Sequence, residues 1–414
     1  MCKKQLLTAA ITIALSAGAA GELVEFQSGD VIQASTMNSN FTYLKNLAET
    51  SNRGVSVTDS VDCTSDSTAL AQYFNTSKNV DFLIVELTGS CDWQGVNLNR
   101  PGIMIRNGSI NGDIFIDSLQ RVGFVNVAVN GGITYSGNAN GWLEGVTGNG
   151  STELTVHGGS RVWLGSNNTG FAEISVQDGS SLQTNDPISS SVLEAVAMSS
   201  VAVPQVTGVN EVYIEASSIF VWQDDNLNNS GMLDSNSVVV EEKGHLVIEG
   251  NAVVGGEVIT THASSLVVRG DVNASDFKVH NSSSAQVDGD IAATGLVEAR
   301  SASSLTVDGA ITSPDVGAHN SSNLRADSVT ASTTFAMQHS SSADVRTIDV
   351  GNFFCRTSSL YNDVSFTSTT KDLWGFCYME AAFDMGSLCG NTDQSGPVLG
   401  WSTTAHNSFP GDCP

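Results

Sequence analysis

Val279–Asp290 reads "VHNSSSAQVDGD". About twenty residues earlier the chain has "THASSLVVRGD", and about twenty later "EARSASSLTVDGA". The residue following each serine run forms a column: Leu246, Leu266, Ala285, Leu305, Leu324 and Ala343, at steps of 20, 19, 20, 19 and 19. A second column is Val258, Phe277, Leu296, Val316 and Phe335, and a third Val272, Ile291, Ile311 and Val329. Gly250, Gly270, Gly289 and Gly309 form a fourth, which Ser328 breaks in the next coil. Three apolar columns at one period mean three short strands per coil. One such coil cannot bury its own apolar side chains, so each must lie on the next at about 4.8 Å. The glycines suit bends where a side chain would clash or where positive φ is required.

The expected fold is therefore all-β: a single-stranded parallel β-solenoid, a right-handed β-helix of about 19–20 residues per coil, with disulfide-held caps and a short N-terminal helix. A leucine-rich horseshoe needs a fixed Asn and helical convex segments, and the repeat supplies neither. Extended backward, the first column runs through Ile219, Leu182, Val162 and Leu143, with 37 residues, close to two coils, between Leu182 and Ile219. Twelve or thirteen coils then fit between Gln94 and Val350, a rod about 60 Å long. The winding resembles the parallel β-helix of filamentous haemagglutinin-type adhesins, a resemblance of pattern over the middle of the chain. It implies adhesion or surface structure.

The chain starts "MCKKQLLTAAITIALSAGAAGE", with Lys3 and Lys4 ahead of an apolar run from Leu6 to Ala17 and small residues before Gly21. This is the pattern of a secretory signal peptide cut near Ala19 or Ala20, over residues 1–20. Cys2 precedes the apolar run instead of closing it, which argues against a lipid anchor there. No later run approaches the ~20 apolar residues of a membrane helix, so the protein is expected to be secreted or held at the cell surface, with no membrane span.

Residues 21–52 form a separate segment in which Met37, Phe41, Leu44 and Ala48 share a helix face and Ser35 caps it. "FQSGDVIQASTMNSNFTYLKNL" is similar, at Phe26, Gly29, Ala34, Met37, Asn38, Asn40, Phe41 and Leu44, to the F-x-x-G…A-x-x-M-N-x-N-F-x-x-L opening of exported proteins of marine Gram-negative bacteria and of phage tail-fibre proteins. That resemblance implies export and attachment or oligomerisation. Residues 53–94, with "LAQYF" as a short helical turn and "VDFLIVEL" as a buried strand, are expected to cap the first end of a solenoid spanning 95–350.

Residues 351–414 lose the period and gain Trp374, Phe376, Tyr378, Phe383 and Trp401, as a disulfide-rich cap or module. Without Cys2, six cysteines remain, an even number in an exported chain. Their placement favours Cys63–Cys91, Cys355–Cys377 and Cys389–Cys413. The absence of any CxxC spacing argues against thiolate metal binding.

With 17 basic against 43 acidic residues and a formal net charge of −26, the surface repels nucleic acid. The partners left are a surface glycan, through Trp222, Trp374 or Trp401, or copies of the chain itself in a trimer or filament. Five residues before the apolar column stand His280, Arg300 and His319. His262 and His339 stand four before it, where the bend reads one residue shorter. Stacked imidazoles can bind metal or titrate together, but Arg300 interrupts the row and the repeat fixes no carboxylate beside it.

Glu249, Asp288, Asp308 and Asp327, with Arg269, make an acidic column; calcium is the cofactor it would admit, although the glycine-rich calcium nonapeptide is absent. The serine runs 282–284, 303–304, 321–322 and 340–342 read as hydroxyl ladders and not as nucleophiles. The rival to a structural or adhesive role is a glycan-cleaving β-helix enzyme, a hydrolase or lyase. Its carboxylates would be Asp113 with Asp117, or Asp224 with Asp225 beside Trp222, with Arg100, Arg106 and Arg121 as the nearest cluster of basic residues.

Overall fold

The computed structural model describes residues 56–75, 82–96, 98, 102–117, 120–222, 232–362 and 365–381. They belong to one compact unit, Val55–Pro414. The helix expected over Met37–Ala48, and Cys389 with Cys413, lie outside the described residues.

The unit is an all-β parallel solenoid. All pairings among its 33 strands are parallel, each strand bonding to the equivalent strand one coil away. Three stacked sheets result. In the first, Leu246, Leu266, Ala285, Leu305, Leu324 and Ala343 lie in direct register. The third aligns Val272, Ile291, Ile311 and Val329. Along each strand buried and exposed residues alternate, as in "SLVV" at Ser265–Val268, because successive side chains point to opposite faces. The inward set is one continuous apolar core.

The second sheet carries a one-residue correction: Phe277 pairs with Val297, not Leu296, and Val297 pairs with Val316. Val297 is fully buried, whereas Leu296 is partly exposed. The extra residue of this coil is taken up at the preceding bend, where Asp276 accepts the Leu296 N–H at 2.8 Å.

In the first sheet, Val162 pairs with Gly141, not with the expected Leu143. Further back, Val201 fills the gap between Leu182 and Ile219. The column then has thirteen levels from Ile103 to Ala343, and twelve steps at about 4.8 Å span roughly 58 Å.

The stack runs beyond the expected limits of 95 and 350. Ser56–Asp62 pairs with Phe82–Thr88, and that strand with Gly102–Arg106; at the other end Ser365–Ala381 still pairs in parallel with Ser342–Asn362. The "LAQYF" turn is the helix Ala69–Asn75, which buries Leu70, Ala71 and Phe74. Beside it the disulfide Cys63–Cys91 forms as expected. Cys355 is disulfide-bonded too; the side chain of Cys377 lies outside the described residues.

Two devices turn the chain between sheets. Ahead of the first sheet, consecutive residues adopt left-handed backbone: His262–Ala263, Asn281–Ser282, Ser301–Ala302, Asn320–Ser321 and His339–Ser340. After it comes the glycine column, where none of the four glycines has positive φ. Their requirement is space: a Cβ on Gly289 would stand 2.2 Å from Asp271 Oδ1 and 2.8 Å from the Gly270 carbonyl carbon. Asp327, not Ser328, occupies this place in the next coil, its N–H bonded to the Gly309 carbonyl at 3.0 Å; Ser328 pairs with Ala310.

Candidate functional site

The serine runs divide by position. After each left-handed pair, one serine turns inward: Ser264, Ser283, Ser303, Ser322 and Ser341 are all buried. Ser283 Oγ accepts the Ser264 N–H at 3.1 Å, and Ser303 Oγ donates to the Val279 carbonyl at 2.6 Å. The ladder extends to earlier coils, where Ser180 Oγ accepts the Ser160 N–H and Ser217 Oγ that of Ser199. The bonded hydroxyls satisfy backbone groups at a bend that sheet pairing leaves open, while the Ser264 hydroxyl itself has no hydrogen-bond partner among the described residues.

His280, Arg300 and His319 form one row on the outer side of the second sheet. His262 and His339 do not belong to it. Each is the first left-handed residue of a bend of ordinary length, so the shorter bend inferred from spacing is not found.

The row also has a carboxylate beside it, contrary to expectation. Glu298 lies between the two histidines, with its Oε2 3.1 Å from His280 Nε2 and its Oε1 3.9 Å from His319 Nε2. The strand "LVEAR" turns Val297 and Ala299 inward and Glu298 outward, and the imidazoles cover it until only 10% of its side chain is exposed. Gly317 leaves the room, since a Cβ there would stand 2.5 Å from His319 Nε2.

The hydrogen bond from His280 holds the Glu298 carboxyl below its ordinary range, against the cost of burial, with the charges of His280, His319 and Arg300 adding to the effect. Burial lowers His319, opposed by Glu298 and reinforced by Arg300 and His339. Next to this group Lys278 bridges Glu257 at 2.8 Å and Asp276 at 3.0 Å. Among the described residues, no group of three or more His, Cys, Asp or Glu side chains is arranged to hold a metal ion.

The acidic column includes arginines that divide it. Arg269 Nη1 meets Asp288 at 3.0 Å and Arg346 Nη1 meets Asp327 at 2.8 Å, with Asp308 between the two acids. These are solvated pairs of small individual value.

Asp113 and Asp117 flank Ile114–Ile116, both exposed, with Phe115 projecting between them. Asp113 Oδ1 accepts the Gly132 N–H at 2.9 Å, and Asp117 Oδ1 the Ser136 hydroxyl at 3.3 Å. Each therefore ties its coil to the next. Four residue steps of extended chain separate their Cα atoms by about 13 Å. Asp224 and Asp225 lie outside the described residues. Trp222 is buried, its indole N–H without a hydrogen-bond partner. The backbone of Trp374 belongs to Ser365–Ala381, while its side chain, like Trp401, lies outside the described residues.

Two groups on the outer surface escaped the reading of the sequence. On the first sheet Trp142 and Trp163 occupy the same position in adjacent coils and meet edge to face, ring centroids 5.5 Å apart at 70°. Both are half-buried. The signal was in "GWLEG" and "VWLGS": with Leu143 and Leu164 inward, the preceding tryptophans must point out.

On the second sheet Glu153, Glu173 and Glu194 stand close together. Glu173 is raised above its ordinary range by burial and by the charges of Glu153 and Glu194, and Glu194 Oε2 accepts the Ser175 hydroxyl at 2.6 Å. Tyr213, in register with Glu194, sets its hydroxyl between Glu215 Oε2, at 2.9 Å, and Glu241 Oε1, with one proton to donate to either.

No family model, curated protein or solved structure matches the chain. Among the described residues no helix is long and apolar enough to cross a membrane.

Proposed function

We propose that the chain is an exported, non-catalytic structural or adhesive β-solenoid of the cell surface, an extracellular matrix or a fibre-like assembly, whose partners are surface glycan or its own copies. One observation carries this reading. Polar side chains in the positions open to chemistry are engaged in joining coils: Asp113 and Asp117 to the coil above, Asp288 to Arg269, His280 to Glu298, and the serines to backbone amides. The basic-start leader and the disulfide pairing support export. The similarity of winding to filamentous haemagglutinin-type adhesins agrees with it, and calcium in the Asp288–Asp308 column would serve as a surface ion.

The test combines retention of labelled full-length chain on insoluble neutral polysaccharides, light scattering for assembly, and measurement of released reducing or unsaturated sugar. Retention or assembly without product is the expected result. Product release would overturn it.

A second reading, a glycan-cleaving enzyme, has one observation in its favour. Burial and the charges of Glu153 and Glu194 push the Glu173 carboxyl above its ordinary range, and a carboxyl favoured in its protonated form is what the general acid of glycan cleavage requires. Under that reading Glu173→Gln would abolish product release.

A further inference from the structure

We infer that the outer face of the first sheet around Trp142 and Trp163 is a binding site for an extended neutral glycan lying along the solenoid axis. The inference rests on the adhesive reading above and gives it a location and a ligand class.

The platform is built in advance. Trp163 rests beside Gly165, where a Cβ would be 2.7 Å from its Cζ3 and 2.9 Å from its Cη2. From the neighbouring coil Trp142 meets it edge to face. Neither indole needs ordering on binding, which removes part of the usual cost. An indole presents an apolar face with a polar edge, and the axial C–H groups of a pyranose match such a face while its hydroxyls need donors and acceptors at the rim.

The rim supplies them. Two residues back on the same strands stand Arg121, Asn140 and Arg161, all exposed and in register. Gln183 follows Trp163 in the aromatic column. Guanidinium and amide groups together offer both donors and acceptors to hydroxyls.

The ligand must be long. The column continues from Trp163 through Gln183 and Ala202 to Phe220, which is 37% exposed. Three coil steps place Phe220 about 14 Å from Trp163, so a single sugar reaches one aromatic group and a chain reaches both.

A neutral ligand is favoured because the chain as a whole, with a net charge of −26, repels uronates and sulfated glycans on approach, while Arg121 and Arg161 at the rim are accounted for as donors to hydroxyls. A second copy of the protein is disfavoured by area. Half-buried, the two indoles present less than half of the ~300–500 Å² that two such rings bury in full, against the ~800 Å² per partner of a stable interface.

The experiment is calorimetric and fluorescence titration of the full chain with hexamers of β-1,4-glucan, β-1,3-glucan and β-1,4-mannan, with hexagalacturonate as the anionic control. At least one neutral hexamer is expected to bind and to change tryptophan emission. Trp163→Ala should weaken it by about tenfold, the loss of one stacked ring, and Trp163→Phe by less. Phe220→Ala should weaken the hexamer but leave the corresponding trimer unchanged. Arg161→Ala, an exposed position that the fold does not need, should weaken binding while preserving the melting temperature, which keeps the test decisive if Trp163→Ala unfolds.

The inference falls if no neutral hexamer binds, if Trp163→Ala and Arg161→Ala bind as the parent does, if hexagalacturonate binds as tightly, or if Trp163→Ala instead abolishes self-association. Retention on polysaccharide that survives all these changes would remove this site while leaving the adhesive reading standing. Loss of both retention and assembly in the parent protein would remove that reading itself.

Discussion

Gly141 lies directly against the ring of Tyr135: a Cβ at Gly141 would stand 2.5 Å from Tyr135 Cζ and 2.6 Å from Cε1. Tyr135 is fully buried and its hydroxyl donates to the Val122 carbonyl at 2.9 Å. The phenol thus fills the interior volume that a larger residue would occupy at the Gly141 level of the column. Gly141→Ala should therefore cost about 1–3 kcal/mol through overpacking. Tyr135→Phe should cost about 0.5–1.5 kcal/mol by removing the hydrogen bond to the Val122 carbonyl. Urea denaturation of the two single variants checks both values.

The buried serines should be far less replaceable than their exposed neighbours. Ser283→Ala removes the acceptor of the Ser264 N–H and should cost about 1–3 kcal/mol. Ser284, one residue on and exposed, should tolerate Ala within about 0.5 kcal/mol. The same denaturation measurement separates them.

The left-handed bend offers a test of opposite sign. Ala302 has φ 61°, a conformation that costs a residue bearing a Cβ about 1 kcal/mol or more. Ala302→Gly should be neutral to stabilising by up to about 1 kcal/mol, the relief being partly offset by a freer unfolded chain. Ala302→Val should lose more than about 1 kcal/mol, and melting temperatures order the three.

Acidification should weaken the fold in two stages around Glu298. His319 in the fold lies below its ordinary 6.5, so the unfolded chain takes up that proton first. Its contribution is complete above 6.5 and declines as pH falls below that value. The Glu298 carboxyl lies below its ordinary 4.5, so its contribution holds above 4.5 and is lost as pH falls further. His319→Gln should flatten the first stage and diminish the second, which the His280 hydrogen bond would still sustain. Urea midpoints followed from about pH 8 to about pH 2 resolve the two.

Replacing Cys63 and Cys91 together by Ser should cost about 2–5 kcal/mol, since Cys91 is fully buried beside the helix Ala69–Asn75. Comparing reductant titrations of thermal stability for the parent and the double-Ser variant separates this bond from the disulfide at Cys355.

Where neighbouring coils carry similar side chains, the sequence alone was sufficient. Leu246, Leu266, Ala285 and Leu305 stand one coil apart with no competing apolar residue in phase, and their register followed directly. It slipped where two apolar residues competed, at Leu296 against Val297, because a period of 19 or 20 absorbs a one-residue shift. At Gly141 it slipped for a different reason: Tyr135 reaches into that level from another sheet.

The Glu298 group was hidden because its members come from separate coils and because the empty space above Gly317 is what admits His319. The tryptophan pair was legible from strand alternation, since buried Leu143 and Leu164 leave Trp142 and Trp163 on the outer face.

Because Leu266 bonds through its strand only to Leu246 on one side and Ala285 on the other, the molecule behaves as a one-dimensional stack of interchangeable units. Deleting or duplicating a unit between two equivalent serine bends would shorten or lengthen the rod by about 4.8 Å without altering any contact beyond the new junction. Length is thus a quantity that gene duplication can tune in small, nearly independent increments.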